Sequence, residues 1–381
     1  MHIIYIVTVS MTADNLLRGQ LRALHEHGHE VNVITSPSSD LEAISVRESV
    51  DVIAVPIQRE INLFQDILSL WYLFRVLYAI KPDLVNASTP KAGLLGMVAA
   101  CLAKVPIRIY QQRGLRLETT TGFMRKLLVQ LEKTAVFCAH QVVCNSESLR
   151  ARCLELGIGS PEKLIVLGAG SSNGVDIKRF HPQISDDNQV NSLKKQLNLG
   201  EGHVIGFVGR LVKDKGIEEL VASFTAISQS ISPLHLLLVG PLEEGDPISP
   251  ETRNTLETEQ NIHITGYVDD TAPYYHLMDL LVFSSYREGF PNVPLEAAAS
   301  GLPVIGYKAT GTVDAIVDGE TGLLVEIGDI ESLSKSIKFL LNNPDRMIEM
   351  GKRGRERVVE QFASEIVWQN WIEYYSQFLE D

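Results

Sequence analysis

The first half of the chain alternates short apolar runs with longer segments whose apolar residues recur at helical spacing. A segment that starts at Asp14 places Leu17, Leu21 and Leu24 on one face and stops at Gly28, which predicts an amphipathic helix. Strands that alternate with helices predict a parallel sheet with helices on both faces. The strand-like runs lie near residues 3–9, 30–35, 52–55, 84–87, 106–110, 141–144 and 163–167.

The same alternation restarts after a polar stretch at residues 181–202. The chain therefore predicts two doubly wound α/β domains in series, with ligand-binding loops at the carboxyl ends of the strands, facing across a cleft. We place the domains at 1–178 and 201–363, with a linker over 179–200 and a final aromatic helix over 364–381 that packs back on the first domain. The second set of strands lies near 203–208, 234–239, 262–264, 280–283, 303–306 and 323–325.

The longest apolar run, residues 61–80, is about long enough to span a bilayer. Asp66 and Arg75 interrupt it and Pro82 stops it, so we predict a core-facing amphipathic helix instead. The opening MHIIYIVTV has no basic leader or cleavage site and is expected to be a buried strand. We expect a cytoplasmic protein with reduced core thiols at Cys101, Cys138, Cys144 and Cys153.

Charge is distributed unevenly along the chain, whose formal net charge is −13. Residues 1–180 hold 19 Lys and Arg against 16 Asp and Glu, and the remainder holds 15 against 31. The acidic second half would repel a polyanion, and the chain has no dense basic stripe with interleaved aromatics, so nucleic acid is not an expected partner. With 45% hydrophobic and 21% charged residues, the chain is of the globular class.

Residues 287–306, REGFPNVPLEAAASGLPVIG, predict a short helix over 293–300. Asn292 can cap its N-terminus, and Pro294 suits a first turn, where a missing N–H costs little. The unpaired N–H groups and the positive dipole end of such a helix suit an anion, most often a phosphate. This segment is therefore a candidate phosphate site.

Two carboxylates flank that helix start: Glu288 precedes it and Glu296 lies within it, with seven residues between them. Both would repel phosphate, so we expect them to accept hydrogen bonds from hydroxyl groups on either side of it. A ligand built as sugar, diphosphate, sugar fits this order. The alternative is that Glu288 is a solvated turn residue and Glu296 a helix-surface charge.

Two further strand-end loops carry candidate chemistry. In GFVGRLVKDKGIEEL (206–220), Arg210 and Lys215 follow a strand and could together neutralise a diphosphate, although a surface loop can also hold two solvated cations. In ITGYVDD (264–270), the backbone of Val268 could bind a nucleobase edge. Adjacent aspartates such as Asp269 and Asp270 are expected in a turn, and no Asp-x-Asp follows a strand, so we expect no metal site.

Taken in order, the runs GRLVKDKG, LLLVGP, GYVDD, DLLVFSSYREGFPNVPLEAAASGLPVIG and VDGETGLLV resemble family four of the retaining glycosyltransferases, which have the two-domain GT-B fold. The resemblance extends to HEHGHEVNVIT and SSNGVDIKRF in the first half. The run YQQRGLRLETTTG is similar to bacterial capsular, exopolysaccharide and O-antigen transferases. The family resemblance implies a nucleotide-sugar donor, most often a UDP-sugar of an N-acetylated hexosamine or deoxyhexosamine, and no cofactor.

The resemblance also implies a role for individual residues. Glu296 would bind the ribose hydroxyls, Glu288 would contact the donor sugar, and the backbone around Gly289 and Phe290 would lie against the sugar and phosphate. The implied catalytic set is Arg210, Lys215 and Glu288, and the implied nucleotide-sugar-binding set is Glu296, Gly289, Phe290, Val268 and Gly209.

The first domain departs from the family pattern in two places. The loop after the first strand reads VSMTADN rather than carrying a glycine pair, and QQRGLRLE stands where members often have a cleft histidine. Arg113, Arg116 and Glu118 are the residues of that loop that could act on an acceptor, and a structural salt bridge is the alternative for Glu118. The family's histidine role is therefore not assigned to any residue.

An excess of basic residues over residues 104–133 suggests a membrane partner. Interleaved with Leu115, Leu117, Phe123 and Met124, these charges could face the anionic inner leaflet, where a polyprenyl-diphosphate-linked sugar would be the acceptor. The alternative is that the apolar residues fill the core. The basic residues are Lys104, Arg108, Arg113, Arg116, Arg125, Lys126 and Lys133.

Two rival functions belong to other classes. GAGSSNG (168–174) imitates a dinucleotide-binding fingerprint, but Asn173 occupies the third glycine position and a helix is not expected after it, which argues against a nicotinamide oxidoreductase. A non-catalytic nucleotide-sugar-binding subunit of a transferase complex remains an alternative, because the loops of the first domain are unusual for the family.

Overall fold

The fold was obtained as a computed structural model, which describes residues 1–58, 62–183, 187–243 and 245–379. Residue 61 of the apolar run, 184–186 of the predicted linker, and 380–381 of the predicted final helix lie outside these ranges. The chain divides into two compact units: the first comprises Met1–Gly174 with Ser364–Asp381, and the second comprises Val175–Ala363.

The first unit has a parallel sheet with helices in the connections. Within the described residues the strand order is β3-β2-β1-β4-β5-β6-β7. Its elements are β1 His2–Ile6, α1 Ser10–Leu16, α2 Gln20–Glu26, β2 Glu30–Thr35, α3 Leu41–Glu48, β3 Asp51–Ala54, α4 Leu63–Ile80, β4 Leu84–Ser88, α5 Pro90–Leu102, β5 Ile107–Gln112, a 3₁₀ turn Arg116–Thr119, α6 Gly122–Cys138, β6 Gln141–Cys144, α7 Glu147–Glu155 and β7 Leu164–Ile165.

Alternate residues of β1 face two different cores, as the two-residue period of a strand requires. Ile4 and Ile6 pack in the cluster that contains residues of α4, α5 and α6, whereas Ile3 and Tyr5 pack in the cluster that contains residues of α1, α2 and α3. The sheet is therefore covered on both faces, as predicted. The four cysteines are free thiols, and Cys138, Cys144 and Cys153 are buried.

The last helix of the described chain, α16 (Ser364–Ser376), belongs to the first unit, where it had been expected. Trp371 and Tyr375 are 2% and 0% exposed and complete the cluster that contains Tyr5. The hydroxyl groups of Tyr375 and Tyr5 lie 2.8 Å apart, and the side-chain amide of Asn86 donates to the Tyr375 hydroxyl at 2.7 Å. The helix is thus an integral layer of the unit.

The second unit has a parallel sheet of order β10-β9-β8-β11-β12-β13 within the described residues. Its elements are α8 Asp187–Gln196, β8 His203–Val208, a 3₁₀ turn Lys213–Lys215, α9 Ile217–Ser228, β9 Leu234–Val239, α10 Pro250–Thr258, β10 Ile262–Ile264, α11 Ala272–Tyr275, β11 Leu280–Phe283, α12 Asn292–Ala299, β12 Val304–Tyr307, α13 Thr312–Ala315, β13 Gly322–Val325, α14 Ile330–Leu341 and α15 Pro344–Gln361.

The structure differs from the sequence predictions at three helices. The helix predicted from Asp14 is two helices, because Gly19 adopts φ +77° between them and the Trp368 ring occupies the place of its absent Cβ, 2.4 Å away. The segment 179–200, predicted as a linker, lies in the second unit and carries α8. The helix predicted over 293–300 is α12, one residue earlier, with Pro291 rather than Asn292 at the N-cap.

Helix α4 also differs from its prediction. Only Ser69, Leu73 and Leu77 are buried, and much of its apolar surface is exposed, so it is not chiefly a core helix. Its length and hydropathy would allow it to cross a membrane, but it packs along the side of the first unit against α5.

Candidate functional site

The predicted site residues of the second unit follow strands that are neighbours in its sheet. The strand order reverses between β8 and β11, since β9 and β10 lie on one side of β8 and β12 and β13 lie beyond β11. Ligands of open parallel sheets bind at the carboxyl ends of the strands at such a switch point. The loop with Arg210 and Lys215 follows β8, and the loop with Glu288 follows β11. The topology thus brings these three residues to one edge.

The loop after β8 lies close to the start of the loop that follows β11. Gly216 adopts φ +66°, and a Cβ on it would lie 2.1 Å from the Ser284 carbonyl oxygen, so only glycine fits. The Ser284 hydroxyl donates to the Lys215 carbonyl oxygen at 2.9 Å. The backbone that carries Lys215 is therefore fixed against the segment that leads to Glu288.

Lys215 and Glu288 form one polar cluster with Ser285. The Lys215 ammonium group contacts the Glu288 carboxylate and lies 3.3 Å from the Ser285 hydroxyl, which donates to Glu288 Oε1 at 2.9 Å. The two charged side chains are 19% and 18% exposed. An ammonium group has three donors, so Lys215 can hold Glu288 and also donate to an anionic ligand.

Arg210 has a looser partner. It donates to Glu243 at 2.7 Å, and the two side chains are 44% and 39% exposed. An exposed ion pair of this kind contributes about 0–1 kcal/mol. The guanidinium can therefore exchange Glu243 for a ligand oxygen at little cost.

The start of α12 is supported by packing rather than by a side-chain cap. Phe290 is 4% exposed, and its ring lies 5.3 Å from that of Phe362. A Cβ on Gly311 would lie 2.6 Å from the Gly289 carbonyl oxygen, so glycine at 311 allows this close approach. The Asn292 Oδ1 atom, expected to cap the helix, is buried without a hydrogen-bond partner among the described residues.

Glu296 lies in α12 beneath that start. Its Oε2 atom accepts a hydrogen bond from the Tyr275 hydroxyl at 2.8 Å. Burial raises the pKa of the Glu296 carboxyl above its ordinary value, while the Tyr275 hydrogen bond and nearby Arg179 oppose that rise. A half-buried carboxylate that is already oriented by a tyrosine suits the binding of ligand hydroxyl groups better than a solvated helix-surface charge would.

The remaining residues of the predicted nucleotide site lie on the loops after β8 and β10. Gly209 follows β8 directly, and the main chains of Gly240 and Gly266 form a bridge between the loops after β9 and β10. Gly240 approaches Gly209 so closely that a Cβ on it would lie 1.9 Å from the Gly209 carbonyl oxygen. Val268 packs against the apolar cluster of α12 while its loop stays at the surface.

The equivalent switch point of the first unit lies between β1 and β4, and sequence reasoning missed its residues. The hydroxyl groups of Thr8 and Thr89 are 2.6 Å apart there, and the Ser36 hydroxyl donates to the Thr8 carbonyl oxygen at 2.5 Å. Thr89 has φ +72°, which is strained for a β-branched residue. Only its place directly after a buried strand could have pointed to it.

Arg113 follows β5 and has neutral hydrogen-bond acceptors in the structure. Its guanidinium donates to Gln111 Oε1 at 2.9 Å and to the Ser172 carbonyl oxygen at 3.3 Å, while its Nε atom is buried without a partner among the described residues. Burial lowers the pKa of Arg113 to about 10. A cation that is desolvated and balanced by neutral groups favours an anionic ligand.

Arg116 and Glu118, the other two candidate residues after β5, have different surroundings from Arg113. Arg116 is exposed on the 3₁₀ turn. Glu118 Oε1 lies 3.6 Å from Arg152 Nε, and its side chain is 13% exposed. This contact is the structural salt bridge given above as the alternative, and it argues against a role for Glu118 in acting on an acceptor. In the described part of the chain no cluster of three or more His, Cys, Asp or Glu residues could hold a metal ion.

Comparison with known proteins gives two family matches. The sequence profile described as "Glycosyl transferases group 1" matches residues 189–357, and "Glycosyl transferase 4-like domain" matches residues 14–170. The chain is 38% identical to the capsular polysaccharide biosynthesis glycosyltransferase CapM of Staphylococcus aureus over 379 residues, which cover 100% of this chain and 98% of CapM.

A more distant relative is the UDP-Gal:alpha-D-GlcNAc-diphosphoundecaprenol alpha-1,3-galactosyltransferase of Escherichia coli, 28% identical over 87% of this chain and 85% of that protein. Among solved structures, HepE of Anabaena in complex with UDP-glucose superposes with a TM-score of 0.81 at 20% identity, covering 99% of this chain and 100% of HepE. Sucrose-phosphate synthase from Thermosynechococcus elongatus gives a TM-score of 0.82 at 22% identity, covering 100% of both chains. These two likenesses establish the fold.

Proposed function

This chain belongs to the group 1 glycosyl transferases and has the GT-B fold, and we propose that it moves a sugar from a UDP-sugar to a polyprenyl-diphosphate-linked sugar during bacterial surface polysaccharide synthesis. The transferred sugar in this proposal is an N-acetylated hexosamine or deoxyhexosamine, and the anomeric configuration of the donor is retained. The relative CapM is named as a capsular polysaccharide biosynthesis glycosyltransferase, and this name supports the proposed place in surface polysaccharide synthesis.

The observation that carries the donor assignment is the set of groups at the β8–β11 switch point. Arg210 and Lys215 supply positive charge after β8, the start of α12 supplies backbone N–H groups, and Glu288 and Glu296 supply acceptors on either side. In the proposal the diphosphate lies against the cations, Glu288 binds sugar hydroxyls and Glu296 binds ribose hydroxyls. The fold neighbour HepE, crystallised with UDP-glucose, favours a uridine nucleotide.

The proposed chemistry needs little beyond stabilisation of the departing phosphate. The acceptor hydroxyl oxygen bonds to the anomeric carbon on the face from which the diphosphate leaves, and the electron pair of the broken C–O bond stays on the phosphate. The acceptor proton passes to that phosphate oxygen. Lys215, held by Glu288 and Ser285, and Arg210 stabilise the developing charge. Without a cofactor, these two cations and the α12 N-terminus perform the catalytic task.

For the acceptor, the proposal relies on Arg113 and on the names of relatives. Two relatives are named for acceptors on diphospho-undecaprenol, one from Escherichia coli and one from Campylobacter jejuni that is 25% identical over 95% of this chain. Arg113 could bind the lipid's diphosphate, with Arg116 nearby on the exposed turn. The protein would then work at the cytoplasmic face of the membrane, attached peripherally.

A two-step experiment tests this proposal. Thermal unfolding in a panel of UDP- and GDP-sugars identifies the donor, because a ligand at a hundred times its Kd stabilises by about 2.7 kcal/mol. Transfer to a short-chain prenyl diphosphate sugar is then followed by mass spectrometry. We expect one UDP-sugar to stabilise the protein and to be transferred. Stabilisation without transfer or donor hydrolysis would favour the non-catalytic binding subunit, and stabilisation by no nucleotide sugar would refute the donor site.

A further inference from the structure

Helix α4 carries a stripe of large apolar side chains that point away from the core. Phe64, Ile67, Trp71 and Tyr78 recur at helical spacing along its outer side. Their side chains are between 47% and 70% exposed. A soluble surface exposes single apolar residues routinely but seldom a contiguous set, which marks an interaction site. The exposed large apolar residues of α4 are Leu63, Phe64, Ile67, Trp71, Tyr72 and Tyr78.

The inner side of α4 is anchored to the first unit. Leu73 and Leu77 are 0% and 1% exposed in the main core, and the Ser69 hydroxyl donates to the carbonyl oxygens of Pro56 and Gln65. A membrane-spanning position would remove these contacts and leave the helix surrounded by lipid on all sides. The helix can therefore lie in an interface plane but not cross the bilayer.

The two charged residues of α4 do not interrupt the outer stripe. Asp66 is paired with Lys91 of α5 at 2.8 Å, and the two side chains are 18% and 11% exposed, so this pair belongs to the α4–α5 contact. The Arg75 guanidinium lies over the Trp71 ring, 4.9 Å from its centroid. A cation stacked on an indole is suited to the polar headgroup layer, where tryptophan and tyrosine are also enriched.

Helix α6 extends this surface on the other side of α5. Phe123 and Phe137 are 79% and 82% exposed, whereas Leu115 and Leu117, predicted above to face a membrane, are 1% exposed and belong to the core. The outer surfaces of α4, α5 and α6 are called the α4–α6 face below. Its helices and adjoining turns also carry exposed cations: Arg75, Lys81, Lys104, Arg116 and Lys126.

Helices α4 and α6 follow β3 and β5, so each begins at the carboxyl edge of the sheet. Phe64 and Phe123 therefore lie at the same edge as Arg113. Phe64 and Phe123 would then contact the acyl chains of a lipid-linked acceptor's membrane, while Arg113 would lie near the acceptor's diphosphate headgroup.

We propose that the α4–α6 face docks on an anionic lipid bilayer, with α4 lying in the headgroup layer and Phe64, Ile67 and Trp71 in contact with acyl chains. The positive charge of the face selects a negatively charged surface over a neutral one. The lipid-linked acceptor rests on the proposed function, but the docking itself does not require glycosyl transfer. A second copy of the chain is the alternative occupant.

Vesicle flotation tests the docking. The full chain should bind phosphatidylcholine vesicles that contain about 30 mol% phosphatidylglycerol, bind neutral vesicles more weakly, and dissociate as salt rises. The variant Phe64→Ser/Ile67→Ser/Trp71→Ser should lower the partition coefficient about tenfold or more. The control Phe339→Ser/Ile348→Ser removes two exposed apolar residues of the second unit, 48% and 68% exposed, and should bind as the wild type does.

A second measurement reports the depth of α4 and does not depend on the triple variant. Brominated acyl chains should quench the tryptophan fluorescence of the bound wild type, and Trp71→Phe should abolish that quenching, because Trp371 is 2% exposed and Trp368 is half-buried. Persistent quenching in Trp71→Phe would overturn the assignment of α4 to the membrane.

Three other outcomes would also overturn the proposal: no binding of the wild type to anionic vesicles at low salt, equal binding by the triple variant, or self-association that the triple variant abolishes. Transfer to a short-chain soluble acceptor separates the two claims. It should be unchanged in the triple variant, and docking without any transfer by the wild type would refute the proposed function but not the membrane surface.

Discussion

The carboxyl group of Glu132 is buried in the first unit among neutral partners. Its Oε2 atom accepts hydrogen bonds from the Tyr110 hydroxyl at 2.9 Å and from the Gln112 side-chain amide at 3.0 Å. Burial raises the pKa of Glu132 from its ordinary value of 4.5 to about 7, and the two hydrogen bonds offset part of that rise. We predict that this residue makes the first unit less stable as pH rises.

The sign follows from which state holds the proton. Because the pKa is raised in the folded state, the folded protein keeps the Glu132 proton at pH values where the unfolded chain has lost it. The stabilisation is fully present below the unfolded pKa and is lost as pH rises through about 7. A difference of one unit between the folded and unfolded pKa values is worth about 1.4 kcal/mol. The ionisation of Glu132 should therefore lower the free energy of unfolding by about 3 kcal/mol as the pH rises from about 4.5 to about 8.

Urea unfolding of Glu132→Gln and wild type across this range measures the effect. The three tryptophans, Trp71, Trp368 and Trp371, all lie in the first unit, so their fluorescence reports the unfolding of that unit. The difference in unfolding free energy, variant minus wild type, should rise by about 3 kcal/mol from acid to alkaline pH. Any constant offset from the amide, and the titration of all other groups, cancels in that change.

The matched control is Glu26→Gln, which removes an exposed carboxylate from the same unit and should leave the pH profile of the wild type intact. A pH-independent difference between Glu132→Gln and the wild type would refute the reasoning. It would mean that water or a rearranged partner solvates the Glu132 carboxylate as well as bulk solvent does.

Three further predictions concern the switch point of the second unit. Arg210→Ala and Lys215→Ala should each lower kcat on the order of a hundredfold or more, because their charge acts mainly as the phosphate departs, and Arg210→Ala should do so with little change in the thermal midpoint because its ion pair is exposed; Lys335→Ala, at a 73% exposed site on α14, is the control, and normal turnover in both variants would place the diphosphate elsewhere. In calorimetry, Glu296→Gln should weaken the binding of free nucleotide and of nucleotide sugar alike, whereas Glu288→Gln should weaken only the latter; equal losses for the free nucleotide would contradict this division. Transfer should persist in excess chelator, and magnetic resonance should find the donor's anomeric configuration in the product, since an inverted anomer would exclude a retaining reaction.

Strand positions were predictable because burial on both faces leaves continuous apolar runs. The run predicted over 203–208 is β8 and that over 234–239 is β9, residue for residue. Order along the chain then placed Arg210, Lys215 and Glu288 at strand ends, and parallel topology brought those ends together. The positions of these candidate residues at strand ends could be predicted from sequence because the local apolar pattern marks where each strand ends.

What sequence missed depends on tertiary contacts. The break at Gly19 reflects the Trp368 ring, which arrives from nearly 350 residues away along the chain. Leu115 and Leu117 carry the same apolar signal as Phe123, and only packing decides that the first two are core and the third is exposed. The positive φ angle of Thr89 has no signature in the sequence, because a β-branched residue rarely adopts that conformation.

The helix α16 gives the first unit an unusual order of synthesis. Its buried Trp371 and Tyr375 pack beside Tyr5 of β1, so part of one apolar face of β1 stays uncovered until the residues around 375 have left the ribosome. The second unit lies between β1 and α16 in sequence, so all of its elements have been synthesised before α16 is. The first unit is therefore begun before the second and completed after it, and its unfinished apolar face is open to aggregation during translation.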